Sequence, residues 1–204
     1  MSDDFHIVGS ATAAALSNGQ AGSSLFDRQS AMLMSNMNGR YMEMTRQGRI
    51  FMACNITVAT LSTLSTTCTG FCLTNPVGSG KVIALLSVNC ALGLGPAGAS
   101  AVALAYGPRS ATAVTQTTPL IVRSGLLEGF TGVGLTASAA TLPVAPVAIR
   151  GLAGVQGSTS IATTVINDDV GGAVMIQPGS SLSLSYLTTA ITCQTSMFWA
   201  ELPE

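Results

Sequence analysis

The stretch Lys81–Leu94, KVIALLSVNCALGL, decides how the rest of the chain must be read. Taken at alternate positions, Val82, Ala84, Leu86, Val88, Cys90, Leu92 and Leu94 form an unbroken apolar set, while Ile83, Leu85, Ser87, Asn89, Ala91 and Gly93 begin apolar and turn polar or small. Strand side chains alternate between faces, so the spacing predicts a long strand with its even-numbered face in a core and its other face gradually losing cover. Asn75-Pro76-Val77-Gly78-Ser79-Gly80 before it is a dense turn signal. A strand this long needs a partner on each side.

The partners are legible outward from it. Ile56–Leu61 and Gly70–Thr74 precede the anchor as predicted strands; Ala99–Tyr106, Leu120–Arg123, Val147–Leu152, 160–166, Ala173–Ile176, Ser181–Leu187 and Ser196–Leu202 follow. Gly95-Pro96, Gly107-Pro108, Asn167–Gly172 and Pro178-Gly179 separate them. Short strands with turn signals at this spacing predict an all-β body over residues 54–204, a β-sandwich or jelly roll. Leu182-Ser183-Leu184-Ser185-Tyr186 alternates most cleanly and predicts one wet face. Between Leu126 and Pro146 the pattern dissolves into Gly, Ala, Ser, Thr and Pro, which reads as a long loop.

Residues 1–53 differ in kind, holding seven of the nine Met residues, four of the eight basic residues and the only His. They read as an extended N-terminal arm with short helices at Ser10–Leu16 and Ser24–Met37, then a hairpin of Tyr41–Thr45 and Arg49–Cys54 about an Arg46-Gln47-Gly48 turn. The segment lacks the apolar density for its own core, and Met adapts to irregular surfaces, so the arm is expected to wrap a neighbour. Arg28, Arg40, Tyr41, Met42, Met44, Arg46 and Arg49 are its candidate interface residues.

Composition points the same way. Charged residues make up 8% of the chain and hydrophobic ones 48%, where an ordinary domain carries about 25% charge. A net charge of −1 offers no footprint for nucleic acid or an anionic membrane surface. The longest apolar run is broken by Ser87 and Asn89, short of the roughly 20 residues of a spanning helix. Met1-Ser2-Asp3-Asp4 is no signal-peptide start, so synthesis and retention in a cytosol are expected. A chain with so few charges is expected to hide surface against copies of itself or a partner, as an assembly component does.

Cys54, Cys68, Cys72, Cys90 and Cys193 are odd in number and scattered, which predicts reduced thiols. Cys68 and Cys72 would share a strand face about 13 Å apart, too far for one metal ion.

The search for catalytic chemistry is negative. Gly78-Ser79-Gly80-Lys81 suggests a phosphate loop, but Asn75 stands where the first Gly belongs, Val82 where the hydroxyl belongs, and a strand follows. Lys81→Ala is therefore expected to leave folding nearly unchanged. His6 is alone, Asp168-Asp169 fits a turn, and Trp199 fits core packing. No catalytic, cofactor or metal residues are assigned, and an enzyme is not expected.

Three stretches carry a resemblance: Asn38–Arg49, Leu73–Lys81, and Gln177–Leu182 with the closing Trp199–Pro203. In order and spacing they resemble tailed-bacteriophage virion proteins of the head decoration, or cement, type. The resemblance implies a β-sandwich body, a homotrimer, and a place on the outer capsid surface against the major capsid protein after synthesis in the host bacterial cytoplasm. A neck, tail or fibre-base component is the neighbouring reading. A carbohydrate-binding jelly roll is the alternative from another class; aromatics at 5%, dispersed, do not line a groove for it.

Overall fold

The computed structural model describes residues 40–93, 95–127, 129–157 and 165–204. The chain divides into two compact units, Met1–Arg40 and Tyr41–Glu204, and every described helix and strand belongs to the second. The helices predicted at Ser10–Leu16 and Ser24–Met37 lie outside the described residues, as does most of the 160–166 strand.

One short helix, α1 (Met42–Arg46), precedes twelve strands: β1 (Ile50–Cys54), β2 (Ala59–Thr60), β3 (Thr67–Thr74), β4 (Lys81–Leu92), β5 (Ser100–Gly107), β6 (Thr115–Pro119), β7 (Arg123–Ser124), β8 (Leu135–Thr141), β9 (Val147–Val155), β10 (Val165–Ile176), β11 (Ser181–Tyr186) and β12 (Thr192–Pro203). They form two six-stranded antiparallel sheets. The first runs β10-β4-β12-β1-β7, with β2 also paired to β12; the second runs β6-β8-β3-β11-β5-β9. One core joins them, with Phe51, Leu85, Val88 and Trp199 from the first sheet and Phe71, Leu73, Leu104 and Leu182 from the second. The body is a β-sandwich in this sense, and its anchor is β4, paired along its length to β10 and β12.

The parity of β4 is not the one its sequence suggests. Adjacent β12 residues Phe198 and Trp199 pair with Ser87 and Leu85, leaving Leu86 as an extra residue. Such a bulge reverses which side chains face inward beyond it. Val88, Cys90 and Leu92 therefore point into the core as predicted, but below the bulge Ile83 and Leu85 do so instead of Ala84 and Leu86. Ala84 and Leu86 turn to the outer face, where they join Ile50 and Ala200.

That outer cluster explains a second correction. Tyr41–Thr45 is not a strand: Met42–Arg46 is helical, and Tyr41 and Met44 pack on the cluster around Leu86. Arg49–Cys54 does supply a strand, but β1 lies within the first sheet, between β12 and β7, and buries Phe51 and Ala53 in the core. The boundary therefore falls at 40/41 and not at 53/54.

Further differences have local causes. The 126–146 stretch contains β8, whose Ala137 and Ala140 pack against Cys68 and Cys72, a strand of small residues without the β-branched signature. Thr115–Pro119 is likewise a strand, and the predicted Leu120–Arg123 and Ile56–Leu61 strands shrink to β7 and β2. Asn167–Gly172 does not end a strand. β10 runs through it with a register shift between Asp169 and Val174, and Gly171 and Gly172 absorb the excursion at φ 60° and 87°. Ser183 and Ser185 are buried as well as Leu182 and Leu184, so β11 has no wet face.

Gly70 marks the other consequential bulge. Thr69 and Cys72 pair with Ala139 and Ala137, so Gly70 and Phe71 together oppose a single residue. Gly70 has φ +100°, and a β-carbon there would lie 2.5 Å from Leu61 Cδ2. Gly70→Ala is expected to lower unfolding free energy by about 2–4 kcal/mol in a urea titration, from left-handed strain plus overpacking. A loss below about 0.5 kcal/mol, within the range of ordinary surface substitutions, contradicts this bulge geometry.

Candidate functional site

The turn that resembles a phosphate loop is a structural joint. The Asn75 amide donates to Lys81 O at 2.7 Å and to Ile176 O at 2.9 Å, and its Oδ1 accepts from Ser79 Oγ at 2.6 Å. Its backbone N–H donates to Ser180 O at 3.0 Å while its O accepts from Gly179 N at 2.8 Å. Asn75 is fully buried, and these bonds tie the β3–β4 connection to the β10–β11 turn. A glycine here would leave the carbonyls of Lys81 and Ile176 without this donor. Gly78 and Gly80 take φ +74° and +65°, and β4 rather than a helix follows.

Lys81 has a partner that the sequence did not reveal. Its Nζ lies 3.0 Å from Glu201 Oε2. Glu201 sits on the inward parity of β12 with Met197 and Trp199, and its side chain has no exposed surface. A buried carboxylate is tolerable only when its oxygens are well bonded. Here Val133 N–H donates to Oε2 and Gly134 N–H to Oε1, both at 2.9 Å, and Trp199 Nε1–H approaches Oε1 at 3.4 Å. β-Carbons at Gly132 and Gly134 would come within 2.6 Å of Glu201 Oε1 and 3.0 Å of Trp199 Nε1, so the loop reaches the carboxylate only as glycine. The arrangement clasps the 130–134 loop to the last strand. Both carboxylate oxygens are taken up by these contacts.

The thiols are placed differently from expectation. The bulge at Gly70 brings the Cys68 and Cys72 side chains into contact in one buried cluster with Ala137 and Ala140, instead of holding them about 13 Å apart along a regular strand. Cys72 is held well above its ordinary pKa by that contact and by burial. Cys90 and Cys193, on paired β4 and β12, form a second contact, which with burial raises Cys90. All five cysteines are free, and Cys54 alone is exposed. Among the described residues no three His, Cys, Asp or Glu side chains converge, and no helix is long and apolar enough to cross a membrane. Asp168 pairs with Arg150 at 2.8 Å across β10 and β9 and is not a turn residue.

The candidate interface residues separate into two groups. Tyr41 and Met44 lie on their own sheet. Met42, Arg46 and Arg49 are exposed, Arg46 within 3.7 Å of Glu43, and Arg40 is exposed at the start of the described chain. Arg28 lies outside the described residues. Beside this cluster, Met52, Cys54, Ile121, Arg123 and Phe198 line a shallow groove of about 450 Å³ on the first sheet. Sequence reasoning missed Glu201. The available signal was parity, since a lone acid stands two residues from Trp199 on an inward face.

Comparison with protein-family models, with curated proteins and with solved structures gives no match.

Two measurements test this geometry. Glu201→Gln keeps the shape but gives up the charge and one acceptor, and is expected to cost about 2–4 kcal/mol in chemical denaturation. Lys81→Ala, contrary to the expectation from the turn alone, is expected to cost about 1 kcal/mol, discounted because the lysine is partly exposed. A near-zero effect for Glu201→Gln removes the clasp as a stabilising element. Separately, iodoacetamide is expected to modify Cys54 alone in the native protein. Burial raises that thiol above its ordinary value of 9.0, so the labelling rate still climbs at pH 9. A plateau below pH 8, or a native rate that survives Cys54→Ser, contradicts the assignment.

Proposed function

We propose that this chain is a structural protein of a bacteriophage virion, a cement protein that binds the outer capsid surface as a homotrimer and adds contacts between capsomers. The observation that carries the assembly reading is an almost uncharged β-body that exposes large apolar side chains on two adjoining edge strands. Val147 and Ile149 on β9 and Val165 and Met175 on β10 are all exposed. The Arg150–Asp168 pair holds these edges side by side. Monomers rarely keep such edges bare, because unpaired strands with apolar side chains template association. The phage assignment itself is supported by the resemblance of Asn38–Arg49, Leu73–Lys81 and Gln177–Leu182. The jelly-roll form of the body and the helical segments of the arm belong to the same reading.

In this reading residues 1–40 reach a neighbour, and exposed Arg40, Met42, Arg46 and Arg49 stand at the root of the reach. Tyr41 and Met44 do not take part, because they cover the sheet around Leu86. The gain comes from apolar burial, at about 25 cal/mol per Å² less the cost of ordering the arm. Light scattering of the purified chain is expected to give three times its 20.6 kDa mass. Deleting residues 1–36 is expected to leave native-like circular dichroism and reduce capsid binding at least tenfold. A clean monomer at micromolar concentration, or full capsid occupancy by the truncated chain, overturns the trimer or the arm respectively.

A further inference from the structure

Asn55 is buried at 2% exposure, and neither its Nδ2 nor its Oδ1 has a hydrogen-bond partner. Its backbone is satisfied: the N–H donates to Thr195 O at 2.9 Å, and the carbonyl accepts from Gln194 Nε2 at 3.0 Å. The side-chain amide therefore contributes no internal hydrogen bond while carrying the cost of burial. Asn55 lies in the wall of a cleft of about 420 Å³ whose other walls come from Ile56, Thr60, Thr69, Thr118, Leu120 and Ser138. No charged or aromatic side chain lines it. β2 and β6 flank it, and among the described residues each pairs with one strand, β12 and β8, which leaves its other backbone edge unpaired there. Gln116, on β6, also buries an amide nitrogen without a partner.

We propose that this cleft is a binding site for an uncharged stretch of polypeptide from a second copy of this chain, with the Asn55 amide meeting a main-chain N–H and C=O. A carboxamide offers one acceptor and a pair of donors side by side, the complement of a peptide unit. Flanking strand edges are the usual receptor for main-chain hydrogen bonds, and alternate side chains of the guest then meet Ile56 and Leu120. Phosphates and acidic peptides find no cation here, and a sugar ring finds no aromatic face. Residues 7–26 form a run of twenty without a charged side chain, in the stretch that precedes the β-body in sequence. Other long uncharged runs, such as 50–80 and 82–108, are built into the two sheets. The inference rests on the assembly reading above and adds a second surface to the β9 and β10 edges that it names.

The test uses the full chain with a photoreactive benzoylphenylalanine in place of exposed Thr60, prepared in ordinary and ¹⁵N-labelled forms and mixed in equal amounts. After irradiation, mass spectrometry of the digest is expected to show residue 60 joined to 7–26 in mixed-isotope pairs. Pairs of like isotope alone, attachment elsewhere, or no attachment overturns the proposal. Neutral oligosaccharides that abolish the attachment overturn it in favour of a sugar site. Asn55→Leu is expected to fold with an unfolding midpoint equal to or above the parent, because it removes an unsatisfied amide. It should also lower the cross-link yield about tenfold, the equivalent of one to two hydrogen bonds. Asn55→Ala makes the same test without added volume. An amide whose loss by both substitutions destabilises the fold, or leaves the yield unchanged, is not a receptor. A trimer by light scattering without the 60-to-7–26 attachment leaves the assembly reading standing and sinks this one alone.

Discussion

The extra residue at Leu86 in β4 governs what the rest of the structure must do. Because β4 is paired on both sides, the parity change cannot be confined to one edge; it is met by register shifts in both β12 and β10. It sends Ile83 and Leu85 under the second sheet and turns Ala84 and Leu86 outward. Leaving the outer apolar patch in water would forfeit about 1.5–3 kcal/mol for a side chain the size of Leu. The helix α1 covers it with Tyr41 and Met44. A five-residue helix is too short to be stable by propensity, so α1 exists because the patch beneath it exists. One inserted residue thus accounts for the helix and for the domain beginning at Tyr41.

Parity also places Glu201. β12 has no inserted residue, so Cys193, Thr195, Met197, Trp199 and Glu201 all face inward, and the last of them is a carboxylate. An isolated charge in that position would be prohibitive. Two backbone N–H groups and one ammonium make it tolerable, and the indole N–H of Trp199 adds a longer contact. The same bonds fix a glycine-bearing loop that has little apolar surface of its own. A hydrophobic residue at 201 would bury comfortably but would leave the Val133 and Gly134 N–H groups without these acceptors. The acid therefore specifies where the loop goes, a role in which a buried polar group is worth more than its net stabilisation.

Much of this was legible, and the failures share a cause. The all-β class, the turn at Asn75–Gly80 and the strands β4, β5, β9 and β11 follow from alternation and turn chemistry. Alternation cannot report a bulge when both faces are apolar, which is the situation over Val82–Leu86. The only hint there was that the second set also began apolar. β8 was hidden because Leu135–Thr141 is built of small residues whose burial depends on Cys68 and Cys72 across the strand, not on their own size. Gly171-Gly172 read as a terminus because two left-handed glycines usually end a strand; here they carry β10 past its shift. Glu201 and Asn55 carry no motif, and their significance lies entirely in partners distant in sequence, or in the lack of any.

The strand edges show where the fold is left open. β10 carries Asp168, Asp169 and a glycine excursion, devices that discourage further pairing. β9 has no proline and no acid, although its pairing with β5 shifts register twice. Val147-Ala148-Ile149-Arg150-Gly151-Leu152-Ala153-Gly154-Val155 contains a single charge, and Asp168 of the neighbouring edge already engages it. The lysines, prolines and inward charges with which monomeric sheets blunt their edges are missing where they matter most. Random pairing at such an edge gives aggregates, whereas a closed ring of subunits gives each β9 one partner and leaves none over. The same economy fits a chain with 8% charged residues. Surface that is to be covered needs no solubilising charge, and charge placed there would have to be desolvated on assembly.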